Sequence, residues 1–347
     1  MKKVCFNAIL LLGAVAAGFA QVQGPMLGYI PDAGTLRPLQ GIPSASSVGN
    51  LMAVDREYSR ITSLPGQNAA IAVDRETGQT VTLTIDANFG VTRAAIESLG
   101  TEAPRRMDAS AGGTTAILTY DAPGRIRVLT GLPGTPVIAR EFDVTFLSAP
   151  PLALTVSDDG EWAAGLWPSG AYAFGSQNAV VALPAGAGAS ALAFFHGSHD
   201  VAIANAAGVI QISDIGGSAP VSILDIAAPD APPPVALGIT PDNRHVLVMG
   251  SSGELKRLSP VLGDNTITSC ECTPAGLYPM GGALFRLTAL ENGSIKIYDA
   301  ESDSVWFAPL ALPRGADDAF LKNQSSPENR LESARQGTER QAEGARQ

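Results

Sequence analysis

Leu284–Asp299 reads LFRLTALENGSIKIYD. An apolar run leads into a short polar turn that ends in glycine, and an alternating run follows. Period-two patterning on both sides of a glycine-bearing turn is the signature of a β-hairpin. Six relatives of this unit lie upstream: GYIPDAGTLRPL, IAVDRETGQTVTL, ILTYDAPGRIRVL, AAGLWPSGAYAF, VAIANAAGVIQI and VLVMGSSGELKRL. Their turn glycines are Gly34, Gly78, Gly124, Gly170, Gly208, Gly253 and, in the quoted stretch, Gly293. Glycine suits this place because a tight hairpin turn needs a residue at positive φ.

Successive glycines stand about 43 residues apart on average, the period of a four-stranded propeller blade. A polar turn precedes six of the seven hairpins: LPGQN, SAGGT, SDDGE, HGSHD, TPDNR and PMGG. Short apolar runs before it, such as Leu152–Val156, Leu192–Phe195 and Leu237–Ile239, supply a further strand. Runs after the hairpin, such as Val144–Leu147 and Val221–Ile226, supply a fourth. Four short strands per repeat, arranged radially, make an all-β fold: a β-propeller of seven four-stranded blades, with six as the alternative count.

The first hairpin has only Gly24–Leu27 before it, too little for a leading strand. The segment 304–315, SVWFAPLALPRG, resembles 144–160. Val305–Phe307 is therefore expected to finish the seventh blade, and Leu310–Leu312 to form the inner strand of the first. That closes the ring between N- and C-terminal strands and removes the open sheet edges. Deleting residues after Trp306 should then destabilise the fold, and deleting those after Asn323 should not.

Residues 1–20 have the form of a secretory signal: Lys2 and Lys3, an apolar centre over Ala8–Ala17, and small residues at Gly18 and Ala20. Removing them takes the formal charge from −10 to −12. The expected address is secreted or periplasmic, with no membrane insertion after signal removal. An acidic exported chain is a poor match to nucleic acid. The propeller is expected over 24–315. Residues 323–347 form a polar tail with one leucine and no aromatic residue, a composition that cannot bury enough surface to order itself. Between repeats, a helical turn is expected at Val91–Leu99.

TPDNRHVLVMGSSGELKRL (240–258) resembles the repeats of bacterial YVTN-type propellers. SIKIYDAES (294–302) is similar to the closing strand of WD repeats, with Tyr298-Asp299 in place of Trp-Asp. The resemblance implies a propeller and no particular activity, because that fold hosts enzymes, binders and scaffolds alike. Residues 72–78 resemble the first half of the docking motif of quinone-dependent dehydrogenase propellers, but Thr82 stands where those carry tryptophan. An Asp-initiated turn closed by glycine explains the stretch better. Ser157–Trp162 is similar to the Asp box of sialidases, one residue short, and reads as a strand turn with Trp162 packed in a blade.

No Gly-x-Ser-x-Gly elbow and no phosphate loop occur, so no catalytic residue and no cofactor site are nominated. His196 and His199 fit solvated turn positions, and His245 a strand edge. Asp299, Glu301 and Asp303 lack the glycine and distal glutamate of a calcium loop and read as a solvated turn. No metal site is nominated. Asp32, Asp74, Glu76, Asp121 and Glu291 sit in the glycine turns, where aspartate is common for backbone reasons; a mildly acidic rim is the other reading. Trp162, Trp167, Tyr172 and Phe174 are expected to be core. Cys270 and Cys272 would face an oxidising space after export, as a short clip, as free thiols or as links to another chain. The function expected is a binding or scaffolding module whose partner is another exported protein or a surface glycan. The alternative is a hydrolase or lactonase with a metal in the central channel.

Overall fold

The computed structural model describes residues 24–311, apart from 122–123, 177–178, 187, 228–231 and 291–292. It is a seven-bladed β-propeller. Six blades are antiparallel sheets of four strands, and the first has three. The expected fold class is the observed one. Residues 1–20, expected to be a signal, and the polar tail 323–347 lie outside the described residues.

Burial grades outward across each blade. The second strand is covered on both faces by neighbouring blades: Ala69–Asp74, Ala116–Tyr120, Ala163–Trp167 and Val201–Asn205 are buried at every position. That is why these strands read as unbroken runs of small and branched residues. The third strand alternates, as in Arg125–Thr130 and Ser294–Asp299. The outermost strand is largely wet, as in Asn265–Ser269. In six blades the glycine turn joins the second and third strands. Gly78 (φ 72°) and Gly253 (φ 85°) show why the residue is needed. A Cβ there would meet the carbonyl oxygens of Thr101 and Cys272 at 2.8 and 2.6 Å.

The apolar core is divided among the blade interfaces. Seven clusters of buried side chains lie between adjacent blades, one at each interface. Between blades 4 and 5, Trp162 and Leu166 meet Phe194 and Ile203. Between blades 7 and 1, Leu284, Ile297 and Ala308 meet Ile30, Leu39 and Val48. Burying each such aliphatic side chain contributes roughly 1.5–3 kcal/mol, so every interface counts.

Three local expectations are corrected. Ring closure occurs, but Leu310 does not enter the inner strand. The innermost strand of blade 1 is Met26–Asp32, whose Tyr29 and Pro31 line the central channel. The Gly34 turn therefore joins the first and second strands of that blade. With the inner place filled, the free edge is that of Ala45–Val48. Leu310 makes a parallel bridge to Val48 there, and the Ala311 amide donates to the Val48 carbonyl at 2.7 Å. Leu312 lies outside the described residues. Secondly, the outer strand of blade 3 is Val137–Asp143. Val144 and Leu147 instead turn inward and pack between blades 3 and 4. Thirdly, Val91–Ala95 is the outer strand of blade 2, and only Glu97–Leu99 forms a helical turn, of the 3-10 type. The outer strand expected at Val305–Phe307 is present as Ser304–Pro309.

Candidate functional site

The innermost strands of all seven blades surround a central channel with a cavity of about 410 Å³. Its wall is mixed: Ile61, Leu152, Ala193 and Val235 present aliphatic side chains beside polar groups, and Leu154, Leu192, Leu237 and Phe285 lie behind it in the blade interfaces. Three charged side chains interrupt it: Arg106, Asp108 and Arg286. Period two places Arg106 and Asp108 on the same side of the strand Arg106–Ala109. The Arg106 Nε donates to Asp108 Oδ2 at 2.5 Å, and one terminal nitrogen donates to the Leu152 carbonyl at 3.0 Å. Burial pushes the Asp108 carboxyl above the usual range, although Arg106 pulls it down.

Arg286 differs. It lies in the second strand of blade 7, Leu284–Arg286, directly opposite Tyr278. Its guanidinium carbon stands 4.2 Å from the centre of the Tyr278 ring. The Tyr278 hydroxyl donates to the Ala275 carbonyl at 3.0 Å, which fixes the ring. Burial lowers the Arg286 pKa, and the only opposing influence is Tyr278, with no carboxylate contributing. Among the described residues, the channel wall thus holds one ion-paired arginine and one arginine without an acidic partner. Sequence reasoning did not single out any of these three residues.

The histidine-bearing turn is engaged in structure. Asp158 Oδ1 accepts the Gly112 amide of blade 3 at 2.7 Å, and Oδ2 accepts the Gly197 amide of blade 5 at 3.0 Å. One carboxylate from blade 4 therefore ties three successive blades. Asn243 repeats the device, taking the His196 amide and donating to the His196 carbonyl, both at 2.8 Å. His199 is half-buried: Nε2 lies 2.9 Å from Asp159 Oδ2, and the ring stands 6.4 Å from that of Trp162. The donor atoms of Asp159, Glu161 and His199 come within 4.8 Å of one another. Burial opposes ionisation of Asp159, but the Ser157 hydroxyl, the Glu161 amide and His199 outweigh it and hold the carboxyl low. His245 sits just before the strand Val246–Met249, with its pKa lowered by burial and then by Arg257.

The turn acids are mostly paired. Asp32 meets Arg37 at 2.6 Å, Asp121 meets Arg105 at 2.9 Å, and Glu76 meets Arg56 at 3.0 Å. The Asp74 side chain is fully buried, accepts the amides of Glu76 and Thr77 on Oδ1, and has Arg93 at 3.2 Å from Oδ2. This is the glycine-closed Asp turn expected at residues 74–78. Glu291 lies outside the described residues. Trp167, Tyr172 and Phe174 pack edge to face within the blade 3–4 interface, with Trp167 and Phe174 centroids 5.7 Å apart.

Asp303 corrects the solvated-turn reading of the acidic run. It accepts the Tyr298 hydroxyl at 2.7 Å and the hydroxyls of Thr266 and Thr268 at 2.9 and 3.2 Å. The two threonines belong to the outer strand of blade 6, so Asp303 pins blade 7 to it. Cys270 and Cys272 are joined by a disulfide, with Cα atoms 5.2 Å apart. Cys270 is buried between blades 6 and 7. Lys296 of blade 7 donates to the carbonyls of Cys270 and Glu271 at 2.7 and 3.3 Å.

No family model matches the chain, and no curated protein matches it. Solved structures do. A functionally unknown protein from Desulfotomaculum acetoxidans aligns over 83% of this chain and 100% of its own, at 10% identity and a TM-score of 0.55. Apo AztD from Citrobacter koseri aligns over 83% of this chain and 81% of its own, at 13% identity and a TM-score of 0.53. The β-propeller domain of Cps50 (Swd1) from Myceliophteria thermophila aligns over 74% and 88%, at 11% identity and a TM-score of 0.53. At these identities the likeness is one of fold. No helix among the described residues is long and apolar enough to cross a membrane.

Proposed function

We propose that this protein is an exported binding module, and that part of its partner enters the central channel. The partner class is another exported protein or a surface glycan. The observation that carries the reading is the channel itself: a cavity of about 410 Å³ with apolar and polar lining, to which every blade contributes. Concave, largely apolar cavities with a few placed polar groups are where ligands bind. Asp108 is the one carboxylate among the described lining residues, and it is spent on Arg106. A metal in the channel would have no further acidic ligand among them, so the hydrolase alternative draws no support from the described wall. Export accounts for the signal-like residues 1–20 and gives the disulfide an oxidising space in which to form.

Two measurements test this. The mature protein should begin at Gln21 and fractionate outside the cytoplasm; a cytoplasmic chain retaining Met1 overturns export. Native mass spectrometry after incubation with the exported fraction should show a bound species. Ala193→Trp places an indole in the channel wall and should abolish that species with an unchanged melting temperature. Equal binding by both proteins overturns the channel as the site.

A further inference from the structure

We infer that the channel selects an anion: a carboxylate carried on an apolar body, held by Arg286. The inference rests on the channel being the binding site and names the chemistry that site accepts.

The argument begins with charge. The chain carries a formal −10, yet the three charged residues lining the channel, Arg106, Asp108 and Arg286, sum to one positive charge. Arg106 and Asp108 neutralise each other through Nε–Oδ2 and a second contact of 3.3 Å. Among the described residues, Arg286 is left with the Tyr278 ring. An aromatic face does not replace the water that a half-buried guanidinium gives up, and a charge taken from water is costly until it is paired. A ligand carboxylate supplies the missing partner. Arginine also presents a planar fork that matches two carboxylate oxygens. The Tyr278 ring, anchored through its hydroxyl on Ala275, occupies one face of the guanidinium and leaves the edge for the ligand.

The wall sets the rest of the ligand. Ile61, Leu152, Ala193 and Val235 offer aliphatic surface. A highly hydrated anion such as inorganic phosphate would lose water to these residues without compensation. A carboxylate on an aliphatic body buries its chain there while its head meets Arg286. An acyl chain and the free end of an apolar peptide share this chemistry.

The experiment uses the mature protein and four probes: octanoate, 1-octanol, acetyl-trileucine as the free acid, and acetyl-trileucine amide. Calorimetry should show at least one acid binding ten-fold or more tighter than its neutral counterpart. The acid that binds identifies the source, acyl chain or peptide end. Arg286→Gln should erase the preference, Arg286→Lys should restore part of it, and raising salt should weaken acid binding alone. Should Arg286→Gln fail to fold, the acid-to-neutral ratio in the unaltered protein and in Arg286→Lys still decides. Equal binding of acid and neutral probes overturns the anion inference and leaves the channel reading standing. Binding of none of the four also overturns it. Failure of the channel reading is separate: it is seen as probe or partner binding that Ala193→Trp does not affect.

Discussion

The interface between blades 7 and 1 and that between blades 4 and 5 bury similar aliphatic clusters, but they are held by different means. Blades 4 and 5 are consecutive in the chain, and Asp158 ties the turns of blade 4 to backbone amides on both sides. Blades 7 and 1 are joined by the two ends of the fold. There the cluster of Ile30, Leu39, Val48, Ile297 and Ala308 is supplemented by main-chain pairing of Val48 with Leu310 and Ala311. A loop interface starts with its partners already near each other. The seam must gather residues roughly 250 positions apart, and loop closure over that distance costs entropy. Backbone pairing at the seam is the counterpart of the side-chain staples elsewhere.

The sharpest way to break this comparison is truncation after Asp303. It removes the outer strand of blade 7 and the Val48 pairing together. The melting temperature should fall by more than about 10 °C, given that each kcal/mol moves it a few degrees. An unchanged value would show that the seam contributes nothing. Next in size are Ile297→Ala at the seam and Ile203→Ala between blades 4 and 5. Both side chains are fully buried, and each change should cost about 2–5 kcal/mol in denaturant unfolding. A loss confined to one of them would mean that the interfaces are not equivalent.

Asp158→Ala should come third. It strands the Gly112 and Gly197 amides, a penalty of about 1–3 kcal/mol for each one kept from water. Acid sharpens the same point. Hydroxyl and amide donors hold Asp159 and Asp303 low against the opposing effect of burial, and the Thr77 and Glu76 amides hold Asp74 low. Carboxyls with lowered folded pKa values contribute stability that is full above the unfolded value of about 3.9 and is lost as pH falls through the lower folded values. The melting temperature should therefore drop steeply below about pH 4, after a smaller decline through about pH 6.5, where the unfolded chain protonates His245 more readily than the fold does. Asp303→Asn should make that drop shallower, and a drop identical to that of the unaltered protein would exclude Asp303 as a contributor. The smallest effect is expected from reducing the Cys270–Cys272 bond, roughly 1–2 kcal/mol for so short a loop.

The repeat was legible because hairpin glycines answer to local backbone geometry, and local geometry is written in neighbouring residues. Gly78 and Gly253 mark their turns whatever surrounds them. The inner strands at Leu154, Leu192 and Leu237 were visible for the same reason. What was not legible depends on partners far along the chain. The run Val144–Leu147 is apolar and reads as a strand, whereas Val137–Asp143, with Arg140 and Glu141, is the strand. An outer strand faces water, so apolar content points to the wrong segment. Asp158, Asn243 and Asp303 look like ordinary turn residues because their work is done across a blade boundary. Arg286 gave no signal at all: its neighbours in sequence are apolar, and only the ring geometry leaves it in the channel without an acid among the described residues.

The seam also sets an order of assembly. The face of blade 1 that carries Ile30 and Leu39 is synthesised first, and the residues that cover it, Leu284 through Ala308, are synthesised last. Until they arrive, a nascent chain of six blades carries an uncovered apolar face at one end and the exposed edge of Ala45–Val48 beside it, a template for pairing with other chains. The ring therefore cannot close until residues 310 and 311 have emerged from the ribosome. A factor that holds the early blades apart until residue 311 is available would act on that face.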